Sequence, residues 1–185
     1  MTSFKPDVKK QFIKRDSIDA SKLIINLKDA LIKNGIKDIS NFNIVKLDTS
    51  YYYQVKTKNN DRLSYLSATD GSLKSNADSL YGIQLAKKIL GDDGAVIKDV
   101  SLVRDFTDGY VYVNRYLPVY KISFNREDGI RIYIDTFGSR MALAMNDSRA
   151  GFNKFFINFH SWGFLDYFGN VLHLQLNILS SLNEE

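Results

Sequence analysis

Apolar positions recur along this chain with two different periods, and the switches between them mark out its elements. Over residues 19–36, Leu23, Ile24, Leu27, Leu31 and Ile32 fall on one side at helical spacing, while Lys22, Lys28, Asp29 and Lys33 lie mostly elsewhere. Asn34-Gly35 supplies a stop, because glycine takes the left-handed conformation that satisfies the last carbonyls and lets Ile36 fold back. Runs rich in aromatic and β-branched residues follow over 42–47, 51–57 and 62–68 and read as strands. Polar turns such as Lys58-Asn59-Asn60-Asp61 divide them, and Asp70-Gly71 marks another turn.

The same order then returns. Residues 79–90 carry Leu80, Ile83, Ala86, Ile89 and Leu90 along one side and end at Gly91-Asp92-Asp93-Gly94. Strands are expected over 96–103, 110–115, 119–124 and 130–135, with a further one over 142–145. Residues 53–72 can be laid on 120–139 at a constant offset of 67 without a gap. Five positions are then identical: Tyr53 and Tyr120, Asp61 and Asp128, Thr69 and Thr136, Gly71 and Gly138, Ser72 and Ser139. Five matches can arise by chance when many offsets are searched, so the shared turns and strand alternation carry more weight than identity. A module of about 60 residues buries only about 60% of its unfolded surface. Joining two sheets, or packing one helix against both, would remedy that.

The expected fold is therefore α+β: two tandem helix-plus-antiparallel-sheet (α-β-β-β) units over 19–78 and 79–147. A basic segment, 1–18, precedes them, and an aromatic helical segment, 148–185, follows. Within that segment Phe152, Phe155, Phe156 and Phe159 form a stripe at helical spacing over 149–162, which must be buried somewhere. Beyond it, Leu172, Leu174, Leu176 and Ile178 alternate like a strand, while Phe164, Leu165, Phe168, Val171, Leu172 and Leu179 fit a helix, the reading favoured here.

Composition removes whole classes of function. With 185 residues and 44% hydrophobic content the chain can bury a sizeable core. Its net charge of +4 comes from 25 basic residues largely offset by 21 acidic ones spread along the whole length, which argues against nucleic acid as a partner. The densest basic stretch, Lys5, Lys9, Lys10, Lys14 and Arg15, suits a flexible arm or a membrane-proximal segment. There is no cysteine, which excludes disulfides, thiolate metal sites and cysteine nucleophiles. Residues 1–18 lack the apolar run of a signal peptide, and the apolar stretch 163–182 is interrupted by Asp166, Asn170, His173, Gln175 and Asn177. If the protein is exported, its targeting information lies outside this sequence.

Catalytic signatures fail as well: no GxSxG elbow, HExxH helix, phosphate-binding GxxxxGK[ST] loop, dinucleotide fingerprint or EF-hand loop occurs. His160 and His173 are the only histidines, too few for a multi-histidine metal site. Asp92-Asp93 belongs to a solvated turn, and Asp135 reads as a turn-initiating aspartate more readily than as a cation ligand. No catalytic residue and no metal site is expected. Two features stand out. Tyr110, Tyr112 and Tyr116 would share one face of a strand, either as a recognition surface or as a sheet face covered by a helix. His160 lies between the phenylalanine stripe and Trp162, itself a candidate contact residue; a neutral imidazole there could ligate haem iron. The competing reading is a partly exposed interfacial histidine, because a ligand needs partners that this chain lacks.

The stretch Tyr116-Leu117-Pro118-Val119-Tyr120-Lys121-Ile122, followed by Gly129-Ile130-Arg131-Ile132-Tyr133-Ile134-Asp135-Thr136-Phe137-Gly138, resembles the PepSY family pattern of a Leu-Pro-Val-Tyr-like strand leading to a Tyr-x-Asp turn that ends in glycine. His160-Ser161-Trp162-Gly163-Phe164-Leu165-Asp166 is similar to the Leu-His-x-Leu-Asp-Phe segment of membrane-anchored members, with Phe159 in place of the leucine and extra residues before Leu165-Asp166. The resemblance is best over residues 79–166; over 19–78 Asp70-Gly71 matches the glycine turn but the Pro-Val-Tyr element is missing. It implies a non-catalytic, extracytoplasmic interaction or regulatory module of a cell-envelope protein, which restrains a peptidase or binds a peptide. The alternative it implies is the periplasmic domain of a membrane-anchored iron-siderophore (ferric) reductase or iron-uptake protein. On either reading the partner is an envelope protein or peptide, membrane attachment lies outside or at the ends of this chain, and this fragment holds no cofactor. A haem would belong to the full-length protein.

Overall fold

The computed structural model describes residues 5–10, 12–13, 17–107, 109–111 and 116–160, without the side chains of 157–160. It is a mixed α+β structure with three α-helices and two antiparallel sheets. The elements are α1 (Leu27–Lys33), β1 (Ile39–Leu47), β2 (Ser50–Thr57), β3 (Ser64–Ser67), α2 (Ala77–Leu90), β4 (Ile97–Val103), β5 (Val119–Phe124), β6 (Arg131–Asp135), β7 (Arg140–Met145) and α3 (Asp147–His160). The sheets are ordered β1-β2-β3 and β4-β5-β6-β7, so every described strand pairs with its neighbour in sequence.

The first helix is much shorter than the apolar spacing suggests. A single 3-10 turn, Ala20–Lys22, is capped by Asp19, and α1 begins only after Asn26, whose side chain accepts from the Asp29 amide at 2.9 Å. Between them the amides of Ile24 and Ile25 donate to the Ala68 carbonyl, at 2.8 and 3.1 Å, in place of bonds within a helix. Two short polar side chains and one sheet-side acceptor thus outcompete helix propagation. Ile24 and Ile32, expected on the buried stripe, are exposed, whereas Ala30, Leu27 and Leu31 pack on the first sheet.

That sheet is covered on both faces. Tyr51, Tyr53, Val55, Leu66 and Ala68 join the α1 segment in one cluster, while Val45, Leu47 and Tyr65 on the other face join α2. The second sheet contributes Ile122, Phe124, Ile130, Ile132, Ile134 and Ala144 to the same α2 cluster. One helix is thus packed against both sheets, and this central core holds most of the buried hydrophobic residues among those described. Gly82, in the interior of α2, lets the helix close on the second sheet: a Cβ there would stand 3.4 Å from Tyr120 Cβ and 3.5 Å from Thr136 Cγ2. The helix stops at Gly91, as its left-handed φ of 73° allows. Of the basic N-terminal segment, Val8 and Ile13 pack on this core and the Lys10 amide donates to Ile89 O at 3.1 Å.

Pairing registers refine the internal similarity. Tyr53 faces Leu66 and Tyr120 faces Ile134, so the strands that follow are related by 68 residues where β2 and β5 are related by 67. Leu66 next pairs with Leu73, and Ile134 with Met141, again 68 apart. Gly71 therefore corresponds to Ser139, both at positive φ (72° and 51°), and the identities at Thr69, Gly71 and Ser72 lie one residue out of structural register. The Tyr53 and Tyr120 match holds in position and in role. Tyr53 donates to Ile25 O, just before α1, at 2.7 Å, and Tyr120 bonds Asp78 in the first turn of α2.

The strand expected over 110–115 is absent from its described part. Tyr110 makes only an isolated bridge with Thr107, Val111 is irregular, and 112–115 lie outside the described residues. Helix α3 begins two residues earlier than expected, and Phe152, Phe155 and Phe156 keep half or more of their surface exposed, with Phe152 and Phe156 stacked at 6.2 Å. The expected continuation beyond residue 160 lies outside the described residues.

Candidate functional site

Where the two sheets meet at the start of α2, polar side chains replace the apolar core. Gln54 is fully buried in the middle of β2, on the face that otherwise carries Tyr52 and Tyr65. Its Nε2 donates to Tyr65 Oη at 2.6 Å and to the Thr136 carbonyl at 3.2 Å, tying the first sheet to the β6-β7 turn. Asn43 on β1 adds a second tie, donating to Phe137 O at 2.9 Å. Tyr65 Oη in turn donates to Asp78 Oδ1 at 2.8 Å. Asp78 also accepts from the Thr136 and Tyr120 hydroxyls, so three donors from β3, β5 and the β6-β7 turn converge on one carboxylate.

Burial holds the Asp78 carboxyl above its ordinary range, and the three hydroxyl donors pull in the opposite direction without cancelling it. The two tyrosines are raised as well: Tyr65 strongly, and Tyr120 to about 12, both first by burial and then by the Asp78 charge. Raised phenols are poor acids and are not poised as nucleophiles at neutral pH. Chemically, the arrangement is a hydrogen-bond hub that fixes the sheets relative to α2. Every described buried side-chain nitrogen and oxygen has a partner.

The hub forms the floor of an open trough. Two adjoining cavities, of about 220 and 560 Å³, share Asp61, Leu63, Asp78, Leu102, Pro118 and Tyr120. One wall comes from the loop between β2 and β3, the other from the end of β4 and the segment before β5, which includes the cis peptide Leu117-Pro118. At one end the Arg140 guanidinium lies 3.8 Å from the centre of the Tyr116 ring and its Nε donates to Asp135 Oδ2 at 2.7 Å.

The residues expected to carry function are only partly gathered here. Tyr116 lines the trough. Tyr110 does not: it is fully buried, stacked on Tyr133 at 4.7 Å, with its hydroxyl on Tyr116 O at 2.8 Å. It belongs to a small cluster on the outer face of the second sheet, roofed by the segment before β5, and offers no recognition surface. Tyr112 and Trp162 lie outside the described residues, as does the side chain of His160, the last residue of α3. Asp135 behaves as a turn residue, accepting from the Gly138 amide at 2.9 Å, and Asp92 likewise accepts from the Gly94 amide. Among the described residues no cluster of metal-ligating side chains occurs, and no helix is long and apolar enough to cross a membrane. Comparison with family models, curated proteins and solved structures gave no match to this chain.

Proposed function

We propose that the protein is a non-catalytic interaction module that binds a segment of another polypeptide in the trough between its two sheets. The observation that carries this reading is the trough itself: an open channel with a hydrogen-bonded floor, in which the Asp78 hub ties the walls together but leaves no activated nucleophile. Leu63, Leu102 and Pro118 supply apolar contact, and the polar rim supplies hydrogen-bonding groups, a combination suited to an extended chain.

The finer reading, two tandem PepSY-type units in an extracytoplasmic envelope protein, rests on the motifs over 116–122 and 129–138. The parallel roles of Tyr53 and Tyr120, and the equivalent hairpins following β2 and β5, support the two-unit view. On this view the bound segment comes from an envelope protein, a peptidase under restraint among the candidates.

Titrating the isotopically labelled protein with unstructured peptides, and following backbone amide shifts by NMR, tests the site. The expected shifts cluster at Leu63, Asp78, Leu102 and Tyr120. Shifts confined to the free edge of β1, or no shifts with any peptide, would sink the proposal.

A further inference from the structure

Charge along the trough is unevenly distributed. Five cations line it: Lys56, Arg62, Lys74, Arg104 and Arg140. Of its three carboxylates, Asp135 is ion-paired with Arg140 and Asp78 is turned onto three hydroxyls, which leaves only Asp61 uncommitted. Arg62 and Arg104 are both exposed, and among the described residues neither guanidinium has an ion-pair partner. They stand on opposite walls, one in the loop before β3 and one just past β4, and both act electrostatically on Tyr120 between them. Arginine presents a planar fork of donors matched to a carboxylate, so two such groups lining one channel can act together as a clamp for anionic side chains.

We infer that the trough selects an acidic peptide segment, whose carboxylates are held between Arg62 and Arg104 while its intervening side chains rest on Leu63, Leu102 and Pro118. This rests on the peptide-binding reading above and adds the chemistry of the partner. An extended chain sends alternate side chains to opposite sides, so a segment with acidic residues at every second position meets both the clamp and the apolar side chains of the walls.

The test uses the full chain and three fluorescent peptides of equal length, built from Glu-Thr, Gln-Thr and Lys-Thr repeats, with binding read by anisotropy at low and high salt. The Glu-Thr peptide is expected to bind about tenfold or more tightly than Gln-Thr, with an advantage that shrinks as salt is raised. The double variant R62E/R104E is expected to lose that advantage and to prefer Lys-Thr, and R62Q/R104Q to show no preference. Both residues are solvent-exposed, so thermal midpoints should match the wild type, which keeps a folding defect separate from a binding defect. Equal binding of Glu-Thr and Gln-Thr, abolished by filling the trough with Leu102→Trp, overturns the acidic selectivity and leaves the peptide-binding reading intact. Binding of no peptide, or binding indifferent to Leu102→Trp, overturns both.

Discussion

Asp78 shows how a single side chain organises the molecule. Its carboxylate accepts from Tyr65, Tyr120 and Thr136, and removing it leaves three hydroxyls around a gap. Asp78→Ala is expected to cost about 2–4 kcal/mol in urea denaturation, mostly from desolvated hydroxyls left without an acceptor. Asp78→Asn keeps one acceptor and the shape, and should cost less. The pH dependence separates the two effects. Because the folded carboxyl is raised above its ordinary 3.8, the stability contributed by its protonated form is fully present below that value and is lost as pH rises through the folded value. Wild-type stability should therefore fall relative to Asp78→Asn as pH is raised from about 3.8 toward neutrality. A constant difference across that window contradicts the assignment. Asp78 is invisible in the sequence, since an aspartate in the first turn of a helix is what the helix dipole favours anyway. Gln54, not singled out in the sequence reading, does carry a signal: an uncharged polar residue inside the run Tyr51-Tyr52-Tyr53-Gln54-Val55 sits where the strand is otherwise apolar.

At the scale of elements, periodicity located the strands well because each sends apolar side chains into a core, fully buried in six of the seven and partly buried in β4: 119–124 coincides with β5, and the strands on either side deviate by a residue. It failed where a local competitor intervened. The apolar stripe of 19–36 is broken by the Asp19 and Asn26 caps and by the Ala68 carbonyl, none of which periodicity registers. At 110–115 alternation suggested a strand, but Tyr110 is buried by stacking on Tyr133, a tertiary contact that alternation cannot distinguish from pairing. The 67-residue overlay found the true counterpart of Tyr53 but ran one residue out of register in the next hairpin, because identical Thr, Gly and Ser residues fall close to the turn in both halves. Gly71 tests the corrected register. Its φ is 72°, and an added Cβ would come within 3.0 Å of Ile25 Cδ1 and 3.3 Å of Ala30 Cα. Gly71→Ala is expected to cost about 1–3 kcal/mol. The overlaid Gly138 lacks a positive φ, and its structural counterpart Ser139 already carries a side chain, bonded to Tyr81 at 3.0 Å. A neutral Gly71→Ala would contradict the strained-turn assignment.

For the whole molecule, the trough depends on α2 joining two sheets into one body, since it exists only where their ends are held side by side. Leu85 is 2% exposed in the shared core, and Leu85→Ala should cost about 2–5 kcal/mol through lost burial and the cavity left behind. Its consequences should not stay local. Amide hydrogen exchange in Leu85→Ala, read against the wild type in β2 and β6, measures whether the two sheets open together. Protection is expected to fall by the same factor in both strands. Wild-type protection retained in β2 while β6 loses its own would contradict it, and would mean that the sheets are separate bodies with no fixed trough between them.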